Sequence, residues 1–98
     1  MRQKAYALIV ENGRLLLVRY YYPKENAWFW NFPGGTVEPG ETLEEALRRE
    51  LIEESCVEVE VGPMLLREVV PGRNYVRHFF RCRIKSGRPR VGTDPATN

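Results

Sequence analysis

The sequence predicts an α/β (α+β) fold, a mixed β-sheet with a helix laid on one face, and three observations carry that prediction. Two continuous apolar runs, residues 5–10 and 15–18, flank Asn12-Gly13, a pair that favours a two-residue hairpin turn. Residues 42–55 combine a helix start with an apolar stripe at helical spacing. Residues 75–85 alternate between apolar and largely basic positions, the period of a strand with one buried face.

The first two strands are apolar without alternation, so the central part of their sheet should be covered on both faces, with helices as the cover. Thr42-Leu43-Glu44-Glu45 is a capping-box pattern, and Leu43, Ala46, Leu47 and Leu51 form the stripe that meets the sheet. Residues 57–61 and 65–70 read as short strands broken by Gly62-Pro63. In the strand at 75–85, Val76, His78, Phe80, Cys82 and Ile84 face the core, while Arg77, Phe79, Arg81, Arg83 and Lys85 face away. His78, within that apolar row, reads as a satisfied core histidine. From residue 86 to 98 the chain is Gly, Pro and polar, with no second helix pattern. No repeat or linker divides it, so residues 1–98 read as a single domain.

A chain of 98 residues, 43% of them apolar, supports one small core. The net charge of +2 conceals an asymmetry: residues 36–60 hold nine acids against two bases, and residues 61–98 hold eight bases against two acids. An acidic site beside basic strands suits a phosphate-bearing substrate. The plainer alternative is a charged helix face beside a solvated sheet edge. Cys56 and Cys82 form no paired motif and cannot build a disulfide framework, so a reduced, cytoplasmic setting is expected. The run at 5–10 is too short for a signal-peptide core or a membrane span, so no membrane partner is expected.

On the expected helix, Glu50, Glu53 and Glu54 stand at i, i+3 and i+4, which gathers three carboxylates on one side. Like charges so placed repel by roughly 0.2–0.5 kcal/mol per pair, and a hard divalent cation is the natural counter-charge.

The segment 35–57 resembles the box of the Nudix (MutT-like) hydrolase family. That box has a glycine, a glutamate after five residues, and after seven more Arg-Glu-apolar-any-Glu-Glu-any-Gly-apolar. Here Gly35, Glu41, Arg49, Glu50, Leu51, Glu53, Glu54 and Val57 fall at that spacing, and Cys56 replaces the second glycine. Residues 30–35, Trp-Asn-Phe-Pro-Gly-Gly, are similar to the lead-in to the box. The resemblance implies a Nudix-type α/β/α sandwich with a mixed sheet and a second helix near the C-terminus. Because members are usually longer, the chain looks like a C-terminally shortened domain lacking that helix.

The implied activity is metal-dependent hydrolysis of a diphosphate linkage in a nucleoside diphosphate-X substrate, by water attack at phosphorus, with Mg2+ as cofactor and Mn2+ as the alternative ion. Carried over by position, Glu53 and Glu54 resemble the metal-ligating pair, Glu50 a ligand or base, and Gly35 a loop glycine whose carbonyl reaches the metal. Arg49 and Glu41 occupy ion-paired positions that orient the catalytic glutamates, so the catalytic set is Glu50, Glu53, Arg49 and Glu41. Some members carry a further acidic ligand or base after the strand that residues 75–85 resemble. Asp94 falls about there, and a turn-forming Asp before Pro95 is the other reading.

Arg19, Arg77, Arg81 and Arg83 are candidate phosphate contacts. Seven of the eleven aromatics lie between residues 20 and 32, where packing competes with base stacking. Cys56 falls just past the helix end, where a left-handed backbone favours glycine. Its surroundings are acidic, so a reactive thiol is not expected.

Two further function classes stay open. A nucleotide-sensing, non-catalytic Nudix binding module usually loses box glutamates, whereas this chain keeps Glu50, Glu53 and Glu54. An inactive, assembly-dependent fragment would complete its sheet from another chain; a homodimer or assembly covering the exposed sheet face is therefore expected. The basic third of the chain permits RNA binding, though nothing resembles an RNA-binding motif.

Overall fold

A computed structural model describes residues 1–90 of the chain. In chain order the elements are β1 (Arg2–Leu8), β2 (Val10–Glu11), β3 (Arg14–Leu15), β4 (Val18–Tyr22), β5 (Ala27–Asn31), β6 (Gly34–Thr36), α1 (Leu43–Ser55), β7 (Glu58–Val70) and β8 (Tyr75–Ser86). A four-stranded sheet runs β6-β1-β8-β7. It is mixed, with β1 parallel to β8 and the outer pairs antiparallel. Two hairpins, β2-β3 and β4-β5, form separate ladders.

Helix α1 starts where the capping box puts it. The Thr42 hydroxyl accepts from Glu45 N–H at 3.1 Å, and the Glu45 carboxylate accepts from Thr42 N–H at 2.9 Å. Its stripe, Ala46, Leu47 and Leu51, is fully buried, Leu47 and Leu51 within a core of Ala5, Ala7, Ile9, Val57, Val59, Phe80 and Cys82, with Leu43 at the margin. On β8 the row Val76, His78, Phe80 and Cys82 is buried as the alternation requires, while Ile84 is half-buried. His78 is a core histidine: its Nε2 lies 2.7 Å from Gln3 Oε1, and burial, with Arg67 nearby, lowers its pKa.

Three expectations need correction. Gly62-Pro63 does not end a strand; β7 runs unbroken from Glu58 to Val70, with register shifts between Val61 and Met64 and between Met64 and Leu66. Proline is tolerated there because β7 is an edge strand and the irregularity absorbs the lost donor. The second apolar run is not a covered strand: Leu15 is 43% exposed and closes the short β2-β3 hairpin, and Leu16-Leu17 lie between strands. The hairpin turn itself is as expected, with Asn12 and Gly13 both at positive φ, 52° and 75°.

The third correction concerns the sheet face opposite α1. Aromatic rings, not a helix, lie against its centre: Tyr6 stacks on Phe79 at 5.5 Å and Phe32 meets Phe79 edge-on at 5.7 Å. The second helix implied by the resemblance is not among the described elements. Apolar side chains remain exposed on β5 (Trp28, Phe29, Trp30) and on β7 (Met64, Leu65, Leu66, Val69).

Candidate active site

The box residues meet where α1 crosses β6. Gly34 and Gly35 stand opposite Tyr6 and Ala5 in the β1-β6 ladder, so Gly35 lies in the short strand that leads into the loop before α1. Gly34 has φ 142°, and a Cβ there would lie 2.1 Å from the Ala5 carbonyl oxygen. Only glycine fits. At Gly35 a Cβ would come within 2.9 Å of the Glu50 carboxyl carbon, so the bare backbone gives that carboxylate its seat.

Arg49 ties the acids together. Its Nε donates to Glu41 Oε2 at 2.7 Å and its Nη2 to Glu41 Oε1 at 2.9 Å, a two-pronged pair. Nη2 also donates to the Thr36 carbonyl at 3.1 Å, anchoring the guanidinium to β6. Nη1 reaches Glu50 Oε1 at 3.1 Å and Glu53 Oε2 at 3.3 Å, with Glu38 at 3.6 Å. The Arg49 bond, then the Glu38 N–H, hold the Glu41 carboxyl down at about 2. The bond to Glu41, then that to Glu50, raise the pKa of Arg49, which stays charged. Glu44 forms a surface pair with Arg48 at 3.5 Å, and Glu45 completes the cap.

Glu54 points elsewhere. It is buried, and its Oε1 accepts from Gly34 N–H at 2.6 Å and from the Tyr20 hydroxyl at 2.9 Å. Burial and then the Glu54 charge raise the Tyr20 pKa far above the ordinary range, so the phenol keeps its proton and is the donor. Tyr20 and Gly34 are the site residues that motif reasoning misses. The pattern of residues 30–35 marks the glycines, but a contact across 34 positions leaves no local signal for Tyr20.

Thus Glu41, Arg49, Glu50 and Glu53 form one cluster, with Glu50 seated against Gly35 and Glu54 held by different partners. Among the described residues no group of three His, Cys, Asp or Glu is arranged to hold a metal ion. Arg49 draws Glu50 and Glu53 to itself, while β4 and β6 hold Glu54. The donors are nonetheless those a hard divalent ion takes: carboxylate oxygens on successive turns of one helix, beside a glycine that leaves room for them. Asp94 lies outside the described residues.

The candidate phosphate contacts scatter. Arg77 is paired with Glu68 through two guanidinium nitrogens and lies over the Phe79 ring. It also lines a cleft of about 690 Å3 with Lys4, Tyr6, Tyr22, Phe29 and Tyr75. Arg19 lies over the Trp28 ring and lines a second cavity, of about 450 Å3, together with Trp30, Glu54 and Arg90. Arg81 is exposed on the face of β8 away from the core, and Arg83 pairs with Glu60 at 2.8 Å.

Comparison with known proteins identifies the family. The NUDIX domain family model matches residues 1–97. A CTP pyrophosphohydrolase of Escherichia coli is 43% identical over 56 residues, 57% of this chain and 42% of that protein. A MutT-like protein of Streptomyces ambofaciens is 32% identical over 87 residues, 89% of this chain and 54% of that one. The chain therefore spans about half the length of these curated relatives. The crystal structure of a MutT NUDIX hydrolase from Burkholderia pseudomallei superposes with a TM-score of 0.73 at 30% identity, covering 97% of this chain and 75% of that one. With a family-model match across nearly all its residues, and with Glu41, Glu50 and Glu53 gathered around Arg49, this chain belongs to the Nudix family.

Proposed function

We propose that the chain hydrolyses a diphosphate linkage in a nucleoside diphosphate-X substrate by attack of water at phosphorus, with Mg2+ as the working ion and Mn2+ as a substitute. The observation that carries this reading is the single Arg49 guanidinium that holds Glu41, Glu50 and Glu53 together, with Glu50 seated against Gly35. An ordinary helix surface has no reason to concentrate acids around one arginine and to bury a further carboxylate one turn on.

Nudix hydrolases generally use divalent metal ions. Glu50, Glu53 and Glu54, with the Gly35 backbone, are the groups that would hold the ion, and Asp94 is a further candidate. Bound there, it would supply Lewis-acid stabilisation of phosphoryl oxygens and a more acidic water.

The chain's own residues do the rest. Glu50 or Glu53 takes the proton of the attacking water as its oxygen bonds to phosphorus and the bridging P–O bond breaks. Arg49 and Glu41 keep those carboxylates in place. The cleft lined by Lys4 and Arg77 offers positive charge for phosphates, and its aromatic side chains offer faces for a base. The pyrophosphohydrolase among the relatives, named for a nucleotide, supports this substrate class. The two free cysteines fit a cytoplasmic setting, and the exposed rings of β5 and apolar side chains of β7 fit a homodimer.

A panel of nucleoside di- and triphosphates, dinucleotides and capped RNA, incubated with Mg2+ and with both products identified, tests the reading. Hydrolysis at a diphosphate bond is expected, and it should nearly vanish in Glu54→Gln, which removes a ligand charge and keeps its volume. Wild-type turnover by that variant across a range of Mg2+ concentrations would overturn the assignment.

A further inference from the structure

Tyr20 lies outside the box, on β4, and the chemistry proposed above assigns it no part. Its position is nonetheless specific. The hydroxyl donates to Glu54 Oε1 at 2.9 Å, onto the same oxygen that accepts the Gly34 N–H at 2.6 Å. We propose that Tyr20 is a positioning residue for Glu54, fixing the orientation in which that carboxylate meets a divalent cation; the proposal rests on Glu54 being a metal ligand.

The two donors come from different elements, β4 and β6, and converge on one carboxylate oxygen at the last turn of α1. A buried carboxylate held by one donor can swing about that bond; a second donor at an angle to the first fixes the plane of the group. Gly34 cannot be the adjustable partner, since its backbone is locked against Ala5. Packing does not account for the hydroxyl either. The ring contacts within the β4-β5 hairpin are made by Tyr21 with Trp28 and by Tyr22 with Phe29, while Tyr20 turns its oxygen toward the helix. Groups that orient a metal ligand through a hydrogen bond typically govern affinity about 10- to 100-fold, and the Tyr20 hydroxyl stands in that relation to Glu54.

The test is Mn2+ binding, read by the EPR signal of the free ion, on the full chain as wild type, Tyr20→Phe, Glu54→Gln and the double variant. Tyr20→Phe is expected to weaken binding by about 10-fold or more, and to add nothing in the Glu54→Gln background. Its loss of turnover should be recovered at high Mn2+ with KM for nucleotide unchanged, which a general packing defect would not produce. A second measurement keeps the tyrosine: with 3-fluorotyrosine incorporated, the 19F resonance of Tyr20 should shift as Mg2+ is added. Wild-type Mn2+ affinity in Tyr20→Phe, an equal loss in the Glu54→Gln background, or an unmoved resonance would each overturn the proposal. Wild type that binds Mn2+, loses it in Glu54→Gln and keeps it in Tyr20→Phe sinks this inference alone. Wild type that binds no Mn2+ sinks the metal-dependent reading and the inference with it.

Discussion

Arg49 and Glu41, eight residues apart, meet through two parallel hydrogen bonds at 2.7 and 2.9 Å, and the rest of the guanidinium reaches Glu50, Glu53 and the Thr36 carbonyl. One planar cation thus joins the segment before the helix, the helix and β6. The arrangement depends on a fork of several donors, which an ammonium group cannot reproduce.

Arg49→Lys should therefore lower turnover by about 10- to 100-fold although the charge is kept. Glu50 and Glu53 would lose the group that holds them side by side, so a higher Mg2+ requirement should accompany the loss. Steady-state rates across a Mg2+ titration check both; unchanged kinetics would mean that Arg49 is a surface ion pair and nothing more.

Glu41 ties the same pair to pH. Its carboxyl is held from an ordinary 4.5 down to about 2, chiefly by Arg49 and then by the Glu38 N–H. The folded value lies below the unfolded one, so the unfolded state binds the proton first, and stability from this group is present above pH 4.5 and lost as pH falls toward 2. The melting temperature of the wild type should exceed that of Glu41→Gln at pH 6, and the gap should close on acidification through that window. A gap that is constant from pH 6 to pH 2.5 contradicts the linkage.

Much of this was legible in the sequence because the signals are local. The Thr42 and Glu45 cap, the Leu47 and Leu51 stripe and the alternation along β8 all lie within single elements or one short segment, and the fold keeps them as read. What could not be read depends on pairing between distant segments. Tyr20 reaches Glu54 across 34 positions. Pro63 could not be assigned to a strand before β7 was known to lie at an edge. The aromatic segment before the box gave no period because β4 and β5 pair with each other and not with the main sheet, so their rings need not divide into one wet and one dry face. Leu15 and Leu17 look like core by composition, yet they lie beside that hairpin arm and stay exposed.

Gly34→Ala should abolish the β1-β6 pairing. The new methyl would sit 2.1 Å from the Ala5 carbonyl oxygen and 2.7 Å from the Tyr6 Cα, both backbone atoms that cannot turn aside. Strain at a glycine-only backbone conformation is worth of order 1–3 kcal/mol by itself, and the clash adds to it. A fall in melting temperature with loss of Mn2+ binding is expected, because the Gly34 N–H that donates to the Glu54 carboxylate moves with residue 34. Near-native stability of this variant would show that β6 is less tightly held than its geometry indicates.

Cys56→Gly should stabilise the chain. Cys56 closes α1 at φ 59° and ψ 33°, in the left-handed region, with its N–H directed at the Ile52 and Leu51 carbonyls. A side chain in that conformation costs about 1–2 kcal/mol relative to the right-handed backbone, a penalty glycine escapes, while glycine loses more freedom on folding. The cysteine side chain is only half-buried, so little apolar contact is given up. The balance favours glycine by up to about 1 kcal/mol. For a domain of this size that is a rise of about 4–8 °C in melting temperature. Because residue 56 follows the last turn of α1 and is not one of the Arg49 partners, turnover should be unchanged. Thermal melts of the two proteins at one pH and metal concentration decide it, and an equal or lower melting temperature for the glycine variant would mean that contacts of the cysteine outweigh the backbone strain.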